Sequence, residues 1–308
     1  MRGSLFSPGC QSPDLFTLRL LTLAGAWGGR SHLETHEPNI VSRGLIVKKN
    51  GVFPLGSQIS FTFPSAAASA IEAYNLLRRS RILLIHFDQA ELRYGDRVAL
   101  QPLTLSLTEQ RIGVIGLNGS GKTSFARLIA GLAKPTSGTV TLDGLDTVAD
   151  EKAARAKTGF IFQNPGHQII LPIIREDVAL GPKSRGLDAG EVERLVDEAL
   201  SRFGISDLAS RRPHELSGGE LQLAALAAVC VNRPDVVIFD EPTNQLDLKN
   251  RARVKAAIDG LAEQAVVISH DLDLVADFSR VLVFDQGALA FDGAGRDAIA
   301  CYREIAGC

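Results

Sequence analysis

The feature that most constrains the fold is a glycine-rich octapeptide at residues 116–123, which stands between two segments of opposite character. The residues before it, 111–115, form a short apolar run of the kind that is buried in a sheet. The residues after it, 122–131, have a helical pattern, with Gly131 as its stop. A strand, a tight loop and a helix in this order are typical of a parallel sheet covered by helices.

The segments around this octapeptide continue to alternate between strand and helix patterns. Strands are predicted at residues 86–93, 98–107, 111–115, 139–142, 158–162, 236–241 and 265–269, and as a pair within 280–292. Helices are predicted at residues 122–131, 189–203, 219–231 and 249–262. This alternation predicts an α/β fold with a mainly parallel sheet.

Composition and charge exclude several classes of protein. The 308-residue chain has a formal net charge of −2 and a pI near 6.3, so no electrostatic argument favours a nucleic-acid partner. The four cysteines have neither metal-ligand nor paired spacing, which indicates a reducing compartment. No apolar run reaches the roughly 18 residues that would predict a membrane span.

Residues 1–81 differ in pattern from the rest of the chain. They mix glycine, proline, serine and scattered apolar residues without a sustained period of a strand or a helix. Residues 15–27 could be mistaken for a signal peptide, but Arg19 interrupts their apolar run. We expect residues 1–81 to be an irregular and dispensable extension, disordered or belonging to a wrongly assigned start. Residues 82–308 are expected to form the functional domain.

The glycine-rich octapeptide matches the G-x-x-x-x-G-K-[ST] pattern of a phosphate-binding loop, in the strand–loop–helix context that the pattern requires. Its glycines allow successive N–H groups to point inward around an anion, and the following helix contributes the positive end of its dipole. Lys122 is expected to reach the β- and γ-phosphates, and Thr123 to coordinate Mg²⁺. The predicted nucleotide contacts are Gly116, Leu117, Asn118, Gly119, Ser120, Gly121, Lys122, Thr123 and Ser124.

Charged residues end two of the other apolar strands. Asp240 closes the run that begins at residue 236, where a buried carboxylate is costly unless an ion pairs with it. Glu241 follows it, and in an extended strand its side chain would point to the opposite side. His270 follows the run 266–269. An isolated histidine in such a place is often a satisfied core residue or a helix cap.

A second glycine loop, Leu216-Ser217-Gly218-Gly219-Glu220, lies between the phosphate-binding loop and the acidic strand. Ser217, Gly218 and Gly219 open a helix, so free N–H groups and a helix dipole would again face an anion. The chain therefore has two helix starts suited to one kind of ligand.

This order of three motifs resembles the ATP-binding-cassette (ABC) ATPases, over about residues 86–292. The resemblance implies a P-loop NTPase fold with a RecA-like parallel core, an antiparallel β subdomain and a helical subdomain at about residues 165–230 that carries the signature loop. It implies ATP and Mg²⁺ as ligands. In Leu216–Glu220 the glutamate replaces the usual glutamine, a variant that we expect to be benign.

Several roles come from the resemblance alone. Glu241 would be the general base, and His270 would contact the γ-phosphate. Asp240 would support Mg²⁺, and Gln163 would contact the metal and the attacking water. Tyr94 would stack on adenine, although a half-buried tyrosine at a strand end is the open alternative.

The resemblance also implies an assembly. Two cassettes, identical or different, would pair head to tail, with Ser217, Gly218, Gly219 and Glu220 of each capping the ATP held by the other. Residues 163–181 are similar to the ATPases of energy-coupling-factor importers, which implies integral membrane and substrate-binding subunits as partners and a peripheral place on the cytoplasmic face of the cell membrane. Residues 116–129 and 248–251 look most like those of the biotin-importer ATPases in that group. Cobalt or nickel importers and soluble single-cassette ATPases of cluster assembly are the alternatives.

Overall fold

A computed structural model describes residues 40–42, 45–48, 51–52 and 82–307 of the chain. It divides into two units, Met1–Asn75 and Leu76–Cys308. In the first unit, strands β1 (Ile40–Ser42), β2 (Leu45–Lys48) and β3 (Gly51–Val52) pair antiparallel in that order, which the sequence did not predict. Apart from these strands, the predicted irregular extension lies outside the described residues.

The second unit contains an alternating series of strands and helices. Its strands are β4 (Ile85–Tyr94), β5 (Arg97–Leu107), β6 (Arg111–Gly116), β7 (Ser137–Leu142), β8 (Leu145–Asp146), β9 (Thr158–Ile161), β10 (Val236–Asp240), β11 (Gln264–Ile268), β12 (Arg280–Asp285) and β13 (Ala288–Gly293). Its helices are α1 (Lys122–Ile129), α2 (Glu151–Lys157), α3 (Ile174–Ser184), α4 (Ala189–Arg202), α5 (Gly218–Cys230), α6 (Leu248–Asp259), α7 (Leu272–Val275) and α8 (Gly295–Ala306).

The larger sheet is parallel, as predicted, except at one edge. Its order is β13-β12-β6-β11-β10-β9, and only β12 and β13 pair antiparallel. Every residue of β10 and β11 is buried, and their side chains alternate between two separate hydrophobic cores. Because both faces of the sheet are covered, these strands are apolar except for Asp240 at the end of β10 and Gln264 at the start of β11. Their carboxyl ends lie at one edge, where the predicted site residues follow.

The smaller sheet is antiparallel, in the order β5-β4-β7-β8, and covers one face of the larger sheet through α1. Aromatic rings join the layers. The ring of Phe87 on β4 stacks on that of Phe125 on α1, with centroids 4.8 Å apart and planes 11° apart. Phe125 also contacts Phe284 on β12, at 5.1 Å between centroids. The helix that follows the phosphate-binding loop is therefore held between the two sheets.

Helices α3, α4 and α5 pack together on the other core of the larger sheet. Helix α4 buries one apolar stripe and exposes its charges, as the sequence predicted, whereas α5 is apolar on nearly every side and is buried. These helices lie in the predicted helical subdomain, whose boundaries stay a prediction. Among the described residues, no helix is both long and apolar enough to span a bilayer.

Five elements of the second unit were not predicted: α2, α3, α7, α8 and β8. Helix α7 has four residues, too few for a helical period to show. Helix α2 buries only Ala154, so it has no apolar stripe to detect. Helix α3 contains Pro182 near its end, a residue that argues against a helix in sequence. Strand β8 has two residues. Helix α8 does have a buried face, which includes Ala298 and Ile299, so the sequence of residues 295–306 carries a helical pattern that could have been recognised.

Candidate functional site: the nucleotide cavity

The phosphate-binding loop leaves the end of β6 in a conformation that only glycine adopts readily. Gly116 has φ 149° and Gly121 has φ 105°. Space is also limiting, because a methyl group on Gly121 would lie 2.5 Å from the carbonyl oxygen of Ala99, and one on Gly116 would lie 2.6 Å from Ser120 Oγ. The loop is further held by the β12–β13 turn, where the N–H of Gly287 donates to the carbonyl of Ser120 (3.0 Å).

Lys122 points back into this loop. Its Nζ donates hydrogen bonds to the carbonyl oxygens of Gly116 (2.8 Å) and Leu117 (2.9 Å). Burial lowers the pKa of this ammonium, and the nearby carboxylates of Glu241 and Asp240 oppose that shift. The cation therefore sits at the mouth of the glycine loop, where an anion would meet it directly.

The parallel strands bring the second acidic motif to the same edge of the sheet. Thr123 Oγ1 donates to Asp240 Oδ1 at 3.2 Å, which links the start of α1 to the end of β10. Asp240 is 9% exposed, and burial raises the pKa of its carboxyl while the Thr123 hydrogen bond opposes the shift. A hydroxyl and a carboxylate side by side are hard oxygen ligands of the kind that Mg²⁺ prefers.

Glu241 does not continue the strand, so the expectation of an extended residue was wrong. β10 ends at Asp240, and Glu241 has φ 57°, in the left-handed region. This turn directs the carboxylate toward His270: the backbone N–H of His270 donates to Glu241 Oε2 (3.0 Å), and its Nε2 lies 3.2 Å from Oε1. A non-glycine residue held there is strained, a feature that concentrates at functional sites.

Glu241 and His270 have pKa values shifted in opposite directions. Burial raises the pKa of the Glu241 carboxyl, and the His270 N–H opposes this shift. Burial, followed by the charge of Lys122, lowers the pKa of His270. The imidazole is therefore neutral at neutral pH, and the carboxylate is more basic than an ordinary glutamate. A pair of titratable groups pushed toward neutrality in a cleft is typical of proton transfer.

These groups line one cavity of about 430 Å³. The predicted residues that line it are Tyr94, Asn118, Gly119, Ser120, Gly121, Lys122, Thr123, Ser124, Gln163, Asp240, Glu241 and His270. Gly116 and Leu117 do not line it, although their carbonyls hold Lys122.

Arg97, Ala99 and Asn244 also line the cavity and were not among the predicted site residues. Tyr94 and Arg97 are paired across the β4–β5 hairpin, with a turn of two residues between them. The Gly95-Asp96 dipeptide is a known hairpin signal, so a hairpin reading of this turn could have placed Arg97 opposite Tyr94. Ala99 is two residues further along β5, on the same face of the strand.

The cavity fits a nucleotide with its metal. Ser120 Oγ is buried without a hydrogen-bond partner among the described residues, at the point where the loop would surround a phosphate. Within residues 82–307, no cluster of three or more His, Cys, Asp or Glu could hold a metal ion alone. Mg²⁺ does not need one, because it is usually held by one or two protein ligands together with phosphates and water.

The second glycine loop lies elsewhere. None of the residues Ser217, Gly218, Gly219 and Glu220 lines the cavity. Ser217 caps α5, and its N–H and hydroxyl both donate to Glu220 Oε2, at 2.8 and 2.7 Å. These hydrogen bonds lower the pKa of the Glu220 carboxyl, so the carboxylate stays charged at the start of the helix. Within one chain, the two predicted anion-binding helix starts do not meet.

Comparison with known proteins assigns the family. A family model described as ABC transporter matches residues 100–244. The biotin transport ATP-binding protein BioM of Rhizobium etli is 60% identical over 222 residues, which cover 72% of this chain and 99% of that protein. This chain belongs to the ABC transporter ATPases. The predicted family and fold are thereby confirmed, and the cassette is an ATP-binding protein.

Two further comparisons match proteins of the same family. The cobalt import ATP-binding protein CbiO of Syntrophus aciditrophicus is 38% identical over 69% of this chain and 76% of its own length. The structure of cbiO1 from Clostridium perfringens, part of the ABC transporter complex cbiONQ, superposes with a TM-score of 0.66 at 26% identity. That alignment covers 74% of this chain and 94% of cbiO1.

Proposed function

We propose that this cassette is the ATP-hydrolysing subunit of an importer for a vitamin or a metal ion, and that biotin is the solute. The observation that supports it most directly is the similarity to BioM along nearly the whole of that protein. A cavity that combines the phosphate-binding loop, two acids and a histidine supports the hydrolytic part.

In this proposal the cavity contacts ATP at its adenine ring and at its phosphates. The ring of Tyr94, which is 52% exposed, offers a flat face for adenine. The loop N–H groups and Lys122 hold the phosphates. Thr123, Asp240 and Gln163 hold Mg²⁺, which when bound neutralises charge on the triphosphate.

Glu241 is proposed to accept the proton of the attacking water. Its raised pKa improves it as a base, and the His270 backbone N–H fixes its orientation. The His270 side chain, neutral because of its lowered pKa, is proposed to contact the terminal phosphate. Lys122 stabilises the negative charge that the phosphates carry during hydrolysis.

We propose that two cassettes, identical or different, form a head-to-tail dimer. The start of α5 lies outside the cavity of its own chain, so a second chain is the natural source of a ligand for it. ATP held between two chains stabilises the dimer by mass action, and hydrolysis removes that stabilisation. Integral membrane and substrate-binding subunits would hold the dimer at the cytoplasmic face of the membrane.

The test is uptake of labelled biotin by cells that produce the cassette together with its membrane partners. Glu241→Gln should abolish uptake and reduce hydrolysis by about 10²-fold or more, while ATP binding and ATP-dependent dimers persist. Glu304→Gln, which neutralises an exposed glutamate on α8 outside the cavity, is the matched control and should change neither. Uptake of Co²⁺ or Ni²⁺ in place of biotin would favour the metal importer suggested by the CbiO relatives.

A further inference from the structure

The two glycines that open α5 are not explained by backbone conformation. Gly116, Gly119 and Gly121 of the phosphate-binding loop all have positive φ, whereas Gly218 and Gly219 do not. Any L-residue could adopt the backbone of these two positions. Something must therefore occupy the space where a side chain would be.

That space is filled by the same chain. A methyl group on Gly219 would lie 2.5 Å from Cγ and 2.6 Å from Cβ of Asn250, distances that real atoms do not reach. A methyl group on Gly218 would lie 3.0 Å from Cδ2 of Leu246. The first residues of α5 therefore pack against Leu246, which lies between β10 and α6, and against Asn250, which lies in the first turn of α6.

Asn250 is held rigidly where it touches Gly219. Its backbone N–H donates to Asp247 Oδ1 (2.8 Å), and its side-chain Nδ2 donates to Asp247 Oδ2 (3.0 Å). The backbone hydrogen bond from Asn250 is the main reason why the pKa of Asp247 is lowered, so the carboxylate is charged and accepts both bonds at neutral pH. Neither side chain is free to change rotamer without losing these bonds.

The other end of this segment borders the nucleotide cavity. Glu241 and Asn244 both line the cavity, and the Asn244 N–H donates to the Glu241 carbonyl at 3.2 Å. The Leu246 N–H then donates to the carbonyl of Thr243 (3.3 Å), and Arg251 Nε donates to the carbonyl of Leu246 (3.0 Å). A continuous series of contacts therefore runs from the catalytic glutamate to Gly218 and Gly219.

We propose that Asn250 is a positioning residue that fixes where the second glycine loop lies relative to the nucleotide cavity of its own subunit. The inference rests on the proposed function, because the loop is taken to act on a second cassette. It assigns a specific reason to the missing side chain of Gly219: a larger residue would collide with Asn250 of the same chain. A shift of residues 241–247 on nucleotide binding would pass through Asp247 and Asn250 to the start of α5.

The experiment adds a methyl group at Gly219, removes the side chain of Asn250, and combines the two changes. Purified Gly219→Ala, Asn250→Gly and the double variant are compared for ATP hydrolysis, for ATP affinity and for ATP-dependent dimers in the Glu241→Gln background. Lys249→Gly is the control, because Lys249 is the exposed neighbour on the same turn of α6 and its replacement by glycine costs at least as much helix propensity as that of Asn250. Thermal unfolding of each variant shows whether the fold is kept.

Gly219→Ala should lower kcat by about tenfold or more with the KM for ATP within about twofold, because its own cavity is intact. Asn250→Gly should lower kcat and dimer formation more than Lys249→Gly does. The double variant should recover at least about fivefold over Gly219→Ala, as expected for residues in direct contact. A methyl group that obstructed a phosphate on the partner would still obstruct it in the double variant, so absence of rescue overturns the inference.

The same measurements separate this inference from the proposed function. If the wild type does not hydrolyse ATP, the proposed function fails and the inference fails with it. If the wild type and Lys249→Gly hydrolyse ATP but Asn250→Gly behaves like Lys249→Gly, only the inference is overturned.

Discussion

The ion pair between Arg202 and Glu263 offers a quantitative test of how the helices are joined to the sheet. Arg202 lies in the last turn of α4, and Glu263 directly precedes β11. The guanidinium donates to both carboxylate oxygens, from Nη1 to Oε1 at 2.8 Å and from Nη2 to Oε2 at 2.5 Å. The two side chains differ in burial: Glu263 is 4% exposed, and Arg202 is 34% exposed.

This difference predicts an asymmetric loss of stability. Removing one partner of a buried ion pair costs about 3–5 kcal/mol, because the other charge is left without compensation. Arg202→Ala leaves a buried carboxylate, with Arg111 nearby as partial compensation, so we expect about 3 kcal/mol. Glu263→Ala leaves the Arg202 guanidinium without its partner, but this side chain is 34% exposed and water can solvate it. We therefore expect a smaller loss of stability, of about 2 kcal/mol.

Urea denaturation followed by circular dichroism measures both free energies of unfolding. The control is Arg194→Ala, because Arg194 pairs with Glu198 on the same helix at the same 2.5 Å distance, but both side chains are more than a third exposed. We expect that control to cost less than about 0.5 kcal/mol. The double variant Arg202→Ala/Glu263→Ala should cost less than the sum of the single changes.

The reasoning is refuted if Arg202→Ala is no more destabilising than Arg194→Ala. It is also refuted if Glu263→Ala is clearly the more destabilising of the pair, because burial would then not decide the cost.

Three further predictions concern the cavity and its support. Phe125→Ala should destabilise the protein by about 3–5 kcal/mol, and Phe125→Leu by less than about 1.5 kcal/mol, in thermal or urea unfolding. A loss for Phe125→Leu as large as that for Phe125→Ala would mean that the ring contacts, rather than the buried apolar volume, supply the stability. Tyr94→Ala should weaken ATP binding about tenfold in a fluorescence titration while Tyr94→Phe stays near wild type, and an unchanged Tyr94→Ala affinity would contradict stacking. Lys122→Ala should lose most ATP affinity in the same titration, and near-normal affinity would contradict its place at the phosphates.

The strands of the larger sheet were predictable because burial on both faces requires a short run of consecutive apolar residues. β10 and β11 each contain four consecutive apolar residues, and their predicted positions agree with the structure to within one residue at either end. Helix α3 was missed because its pattern is obscured by Gly181 and Pro182. Those residues are tolerated near the end of a helix that tertiary packing already holds.

The composition of the cavity was largely predictable for a related reason. Motifs at the carboxyl ends of parallel strands must meet, so the loop at residues 116–123, the acids at 240–241 and His270 could be grouped before the structure was known. Arg97 and Ala99 were missed because they come from the antiparallel sheet, and no sequence rule states how that sheet is oriented over the loop.

Local patterns were enough to identify the chemistry, because a glycine loop, its lysine and threonine, and carboxylates at strand ends each have a local cause. How these groups are held depends on contacts between distant parts of the chain, which the structure shows. It showed Glu241 in a left-handed turn bonded to His270, because that turn follows from contacts between β10 and β11 rather than from the residues around it. It also showed Gly219 against Asn250, since a contact between residues 31 positions apart has no trace in a local pattern.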